Sequence, residues 1–304
     1  MVLPDNQLFC DCIELAAFSE KKQLSDSDLV QIFAPGNLSI SQKQEVEALV
    51  SDLLELAQLR DQRSGGGYPF EATASSIEYR PVSSTLYLIL LHGTALKLGG
   101  RKTVTSSVKK FEKYFEDLVC SVMRSSGFLS EVLSIPREPR GMPKKLPDAL
   151  RELTVRFGNP ATLRPDRVTS DDNDLGVDVI ATPTLGDGVR VGLPTIAIQC
   201  ATGDVNTYSP KLTAEAEIFP DVWESGFSRE TLVRSLATPK DLLPLSTINW
   251  NRLCIGGWIL DRTRLVSMEA TSGNSVPPPY NANRFLESLV NKTNDINWKS
   301  TRFS

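Results

Sequence analysis

Asp174-Leu175-Gly176-Val177-Asp178-Val179-Ile180, followed about twenty residues later by Ile196-Ala197-Ile198-Gln199-Cys200-Ala201, is the stretch on which the fold reading turns. Both pieces are short, β-branched and bounded by turn residues, which predicts two strands. Side chains alternate along a strand, so Ile196, Ile198 and Cys200 point one way and Ala197, Gln199 and Ala201 the other. Asp178 likewise opposes Val177 and Val179. Pairing of the two strands is expected to bring Asp178 beside Gln199. An aspartate in an apolar strand is expensive to bury unless it is paired or binds a cation. Magnesium would supply that compensation, because it favours oxygen ligands and keeps several waters. The predicted ligands are Asp178, the Gln199 side-chain oxygen and the backbone carbonyl of Cys200. The plainer reading is an aspartate at a strand end that pairs with a nearby Arg or Lys.

Outward from these strands, the most regular helix is predicted from about Ser106 to Ser125, with Val108, Phe111, Phe115, Leu118, Val119 and Val122 as its apolar stripe. Glu116 lies at the edge of that stripe, where it could face the strands as a further ligand, and Glu112 lies one turn earlier. A short apolar helix precedes it, from Thr85 to Leu98, and Pro136, Pro139, Pro143 and Pro147 mark an irregular basic loop after it. Residues 1–62 read as helical: Ser25 is a plausible N-cap with Asp28 three residues on, and Ser41 opens a longer pattern. Gly65-Gly66-Gly67 ends that pattern before an extended Tyr68-Pro69-Phe70. Val189-Arg190-Val191 reads as a strand. Gly256 to Ser267 reads as one further strand, with Trp258-Ile259-Leu260 and Leu265-Val266 flanking Asp261-Arg262-Thr263-Arg264, and a closing helix is predicted from about Asn281 to Asn291. The organisation expected is a helical N-terminal region, residues 1–80, followed by an α/β domain with a C-terminal extension, residues 81–304.

Composition narrows the function classes. No apolar run approaches the roughly 20 residues that span a bilayer, and no secretory signal is visible, so a cytoplasmic protein away from membranes is expected. Five cysteines without metal-ligand spacing read as reduced, buried thiols. The single histidine, His92, sits in an apolar segment and reads as a core residue, which sets aside Ser-His-Asp chemistry and multi-histidine metal sites. The net charge of −4 argues against binding nucleic acid by bulk charge. Local basic runs remain, one through Lys97, Arg101, Lys102, Lys109, Lys110 and Lys113, another through Arg137, Arg140, Lys144, Lys145 and Arg151. Such runs are usually solvated faces.

Three linked pieces carry a resemblance to a known family: Phe115-Glu116-Asp117-Leu118-Val119 with Gly127-Phe128 downstream, then Asp174-x-Gly176-x-Asp178-Val179-Ile180, then Gln199-Cys200. In order and spacing they resemble the Mrr-like branch of the PD-(D/E)XK restriction endonucleases, over roughly residues 105–215. The resemblance implies a restriction-endonuclease-like mixed central sheet flanked by helices. It implies cleavage of DNA with magnesium (or manganese in its place), in defence against foreign DNA. It also implies a site formed by Glu116, Asp178 and Gln199. The family places a lysine two residues after the glutamine, and this chain has Ala201. Lys211, in Tyr208-x-x-Lys211, is the candidate to replace it, from a helix expected to start near Ser209 with Pro210 in its first turn. Cutting both strands would be easier with two sites, which makes a homodimer an open expectation, as is a partner protein of a defence system. The alternative reading is a nuclease-derived subunit that binds DNA or protein without cutting. A small-molecule enzyme has little support, since no Gly-x-Gly-x-x-Gly follows a strand.

Overall fold

The protein is described by a computed structural model covering residues 5–34, 36, 39–82, 84–96, 105–169, 172, 174–184, 193–203, 207–213, 218–227, 230–242, 257–272 and 282–294. The N-terminal region is formed by α1 (Asp5–Glu20), β1 (Leu24–Ser25), α2 (Asp26–Phe33), α3 (Ile40–Arg63), β2 (Phe70–Ala72), β3 (Ser76–Tyr79) and α4 (Leu86–Ala95). Ser25 caps α2 in a reciprocal box with Asp28, as its spacing predicts. The long helix starts earlier than expected. Ser39 rather than Ser41 is its cap, in a reciprocal box with Gln42. β1, β3 and β2 form a small antiparallel sheet beside these helices.

The larger layer begins with α5 (Thr105–Ser125) and β4 (Phe128–Val132), then α6 (Leu146–Phe157), β5 (Thr162–Leu163), β6 (Val179–Pro183) and β7 (Thr195–Cys200). It continues through α7 (Tyr208–Thr213), α8 (Ile218–Asp221), β8 (Trp223–Ser225), β9 (Leu232–Ala237) and β10 (Trp258–Leu260), and closes with α9 (Arg262–Thr271) and α10 (Ala282–Asn294). Five strands form a mixed sheet in the order β10-β9-β7-β6-β4. The β4–β6 and β6–β7 pairs are antiparallel; β7–β9 and β9–β10 are parallel. The Leu265-Val266 end of the predicted strand is instead part of α9. Asp261 turns the chain into that helix, its side chain accepting from the Arg264 N–H at 3.1 Å. The expected strand at Val189-Arg190-Val191 lies outside the described residues.

Alternation along β6 and β7 buries both faces of the sheet. Val179, Ala181, Ile196 and Ile198 pack on Phe111, Phe115, Leu118 and Val119 of α5, in a core that runs on into α1, α3 and α4. Ile180 and Ala197 face the opposite layer, built from α6, Phe219, Trp223 and Phe227. Helices α4 and α5 approach closely because residue 93 is glycine; a Cβ there would meet the Phe111 ring at 2.1 Å. His92 on α4 is a core residue, as expected. Burial, then the nearby Arg262 charge, push its imidazole down to about 4, and Phe18 stands edge-on at 5.1 Å.

The N-terminal helices are locked to the sheet by buried ions. Arg60 of α3 donates to Asp11 at 2.8 Å and Glu14 at 2.7 Å on α1, and to Asp241 beyond β9 at 2.9 Å. Arg262 at the start of α9 grips both Asp11 oxygens at 2.8 Å. Tyr68 and Tyr87 donate to Glu14 at 2.8 and 2.9 Å, and burial raises the Glu14 carboxyl above its usual range. Removing one member of such a network strands the others without compensation. Arg60→Met is therefore expected to lower the unfolding free energy by about 3–5 kcal/mol in urea titration.

Candidate functional site

The turn entering β6 explains the Asp-x-Gly-x-Asp pattern. Leu175 and Gly176 both lie in the left-handed region, with φ of 57° and 72°, and the Val177 N–H closes onto the Asp174 carbonyl at 3.0 Å. Glycine takes that conformation without steric cost, and a short acidic side chain can accept from the backbone two residues on. The Asp174 carboxylate does so, accepting from the Gly176 N–H at 3.0 Å. The chain leaves the turn at Asp178, one residue before β6.

Asp178 is held on both sides. Its N–H donates to the Ile198 carbonyl at 3.0 Å, and its carbonyl accepts from the Leu133 N–H at 2.8 Å. Its carboxylate accepts from the Cys200 N–H at 2.7 Å. The last recorded pair of the β6–β7 ladder is Val179–Ile198, so one further antiparallel step sets residue 178 opposite residue 199. Gln199 is buried, and its parallel neighbour on β9 is Leu236.

Glu116 reaches the same end of the sheet from α5. Burial raises its carboxyl to about 7; the Asp178 charge adds to this, while the Ser134 hydrogen bond and Arg140 oppose it. Ser134 donates to Glu116, and Arg140 lies 3.4 Å from it while bonding Asp117 at 2.7 Å. Glu112, one turn earlier, accepts from Thr202 just beyond β7 at 2.8 Å. The Cys200 thiol records the gathering of charge. Burial pushes it well up, Asp178 and Glu116 add to that, and the Lys211 ammonium opposes them. Asp178, Glu116, Cys200 and Lys211 thus share one electrostatic neighbourhood. Cys200 follows Ile198 toward the α5 face and Gln199 follows Ala197 toward the other, so Gln199 and Glu116 belong to opposite faces of the sheet.

Position 201 has a physical reason for its alanine. Ala201 is buried with Tyr208 and Leu212 of α7, Leu236, Leu242 and Ile259, so α7 fills the space above it. The same helix carries half-buried Lys211. The roles of Ser134 and Arg140 in holding Glu116 are not visible in the sequence, where Arg140 is one of several basic residues in a proline-rich loop.

Models of known families, curated proteins and solved structures give no match to the chain. Among the described residues no group of three or more His, Cys, Asp or Glu side chains is placed to hold a metal ion. Near this sheet end the oxygen-bearing groups are the Asp178 carboxylate on the Cys200 N–H, the Glu116 carboxylate from α5 and the Gln199 amide on the other face, and burial keeps the Cys200 thiol protonated. Oxygen donors suit a hard divalent cation.

The shift at Glu116 has a definite sign for stability. Its folded carboxyl holds a proton to about 7 against an ordinary 4.5. The folded state therefore binds more protons across that window, and its contribution to stability is lost as pH rises through it. In chelator-treated protein, Glu116→Gln should become more stable than the parent above neutral pH, by on the order of 1–3 kcal/mol. The gap should shrink toward zero at acid pH, which urea unfolding across pH measures.

Proposed function

We propose that the chain is a magnesium-dependent DNA endonuclease of restriction-endonuclease-like, PD-(D/E)XK architecture, related to the Mrr-like branch. The observation that carries this reading is Asp178 at the end of the β6–β7 ladder, its carboxylate on the Cys200 N–H and Gln199 set opposite it by register, with Glu116 and Lys211 near enough for their charges to act on the Cys200 thiol. The five-stranded mixed sheet with helices on both faces is compatible with the fold that the resemblance implies.

Bound there, magnesium would polarise a water and neutralise charge at a phosphodiester. Asp178, the Gln199 amide oxygen, the Cys200 carbonyl and Glu116 would be the residues that hold it, and manganese would suit the same oxygen donors. Asp178 keeps its place because its backbone is bonded to both neighbouring chains. Hydrolysis adds a water oxygen to phosphorus and expels an alkoxide, so negative charge grows on the phosphate and on the leaving oxygen. The Lys211 ammonium is the residue able to stabilise it, in place of the lysine that Ala201 lacks. The burial of Ala201 under α7 is why the cation comes from that helix. DNA is the proposed substrate and defence against foreign DNA the proposed role.

The same alanine motivates a second reading, a nuclease-derived subunit that binds DNA or a partner protein without cutting. Incubation with supercoiled plasmid and magnesium separates the two. An active enzyme should lose at least about 100-fold in rate with Asp178→Ala and about 10-fold or more with Lys211→Ala. Equal cutting by parent and Asp178→Ala would reject the Asp178 assignment. An uncut plasmid, with DNA binding that survives Asp178→Ala and needs no magnesium, would favour the second reading.

A further inference from the structure

Helix α6 begins without a side-chain cap. Its N-cap residue is Lys145, which makes no capping bond, and Pro147 in its first turn has no N–H to offer. The ladder starts with Ala149 N–H on the Lys145 carbonyl at 3.0 Å, which leaves the Leu146 and Asp148 N–H groups at the positive end of the helix. The acidic side chain of this turn, Asp148, is turned onto Arg151 at 2.8 Å. Lys144 and Lys145 are exposed and form no ion pair among the described residues.

Beneath this helix end lies a cation that lacks a bonded counter-ion. Arg137 is 1% exposed, and its guanidinium donates only to carbonyls, to Leu133 at 2.5 Å and to Lys144 at 2.8 Å. Its Nη2 is buried without an acceptor. Burial lowers its affinity for the proton, which the Asp174 and Glu138 charges at longer range partly restore. A dehydrated guanidinium without a bonded anion is costly, and a negative charge brought close lowers that cost. The bond to the Lys144 carbonyl places the guanidinium beside the residue that precedes the helix cap. Leu133 joins the same guanidinium to the site above: its carbonyl accepts from Arg137 while its N–H donates to the Asp178 carbonyl at 2.8 Å.

We propose that the N-terminus of α6, with Arg137 behind it and Lys144 and Lys145 flanking it, receives a backbone phosphate of the nucleic acid strand presented to Asp178. Helix N–H groups and lysines contact the phosphate oxygens, and the buried guanidinium lends its charge through the Lys144 peptide. This rests on the nuclease reading above and adds to it a fixed point for the strand, joined to the candidate metal ligand through Arg137 and Leu133. The phosphate contact carries no sequence preference, so it sets the register of the strand and leaves base recognition to other surfaces.

The test is binding of a short fluorescent duplex by anisotropy, in chelator and across a range of salt. Each phosphate contact steepens the fall of log K with log salt by about 0.9. Lys144→Ala/Lys145→Ala should weaken binding and flatten that slope by about 1–2. Lys21→Ala/Lys22→Ala, an exposed pair on the turn after α1, should leave the slope unchanged and so controls for net charge. Arg137→Gln should weaken binding further, and the surface pair decides the matter if that variant folds poorly. Inorganic phosphate should compete with the duplex more effectively in the parent than in the Lys144/Lys145 variant. A slope unmoved by Lys144→Ala/Lys145→Ala, in a protein that still binds and cuts DNA, would overturn the phosphate site and leave the nuclease reading standing. A parent that binds no DNA at any salt would overturn both. Phosphate-dependent protection from thermal unfolding that the Lys144/Lys145 variant lacks would then mark an anion site with a different occupant.

Discussion

Two guanidiniums shut away from water set the frame of this molecule. Arg60 and Arg262 are almost wholly buried, and so are Asp11, Glu14, Asp241 and Asp261 around them. Ions cannot remain dehydrated without matched partners at short range, so the network dictates where α1, α3, the end of β9 and the start of α9 lie. It also explains why the apolar core shows no seam near residue 80. The interior that holds Val179 and Ile198 of the sheet is continuous with that of the N-terminal helices. Those helices are therefore part of the platform on which the candidate site stands.

The site itself depends on a narrower constraint. Asp178 is placed by backbone bonds to two neighbours and by a left-handed turn before it, and its carboxylate is already turned onto the β7 backbone. Glu116 is fixed by a different mechanism, through Ser134 and the branched contacts of Arg140. The Asp178 charge adds to the raised proton affinity of Glu116, and both act on the Cys200 thiol against the lysine on α7.

Much of this was legible in the residues, for reasons that can be named. α5 shows a clean 3.6-residue stripe, and β6 and β7 are dense in β-branched residues, so periodicity finds them. β4 hides because Ser130 and Glu131 are both buried, which breaks the alternation; Glu131 survives there by pairing with Arg124 and Arg156. β9 hides because Arg234 and Ser235 interrupt Leu-Val-Arg-Ser-Leu-Ala. α6 hides behind Pro147, which reads as a loop residue but sits in a first turn where a missing N–H costs nothing. At the site, Asp178 and Gln199 stand out because polar residues in apolar strands are conspicuous. The link from Glu116 to Arg140 does not, because 24 positions, with the end of α5 and all of β4 among them, separate the two.

The placing of β7 bears on when such a site can exist during synthesis. This strand lies at the middle of the sheet, antiparallel to a segment before it and parallel to β9, whose pairing needs residues up to Ala237. Pairings between distant segments form late, because loop closure must precede any reward. A ribosome-bound chain that has released only α5 and β4 holds Glu116 without Asp178, and one that has released β7 lacks its parallel neighbour. Nascent chains thus carry an incomplete acidic cluster, and its full constellation appears only with the closed sheet.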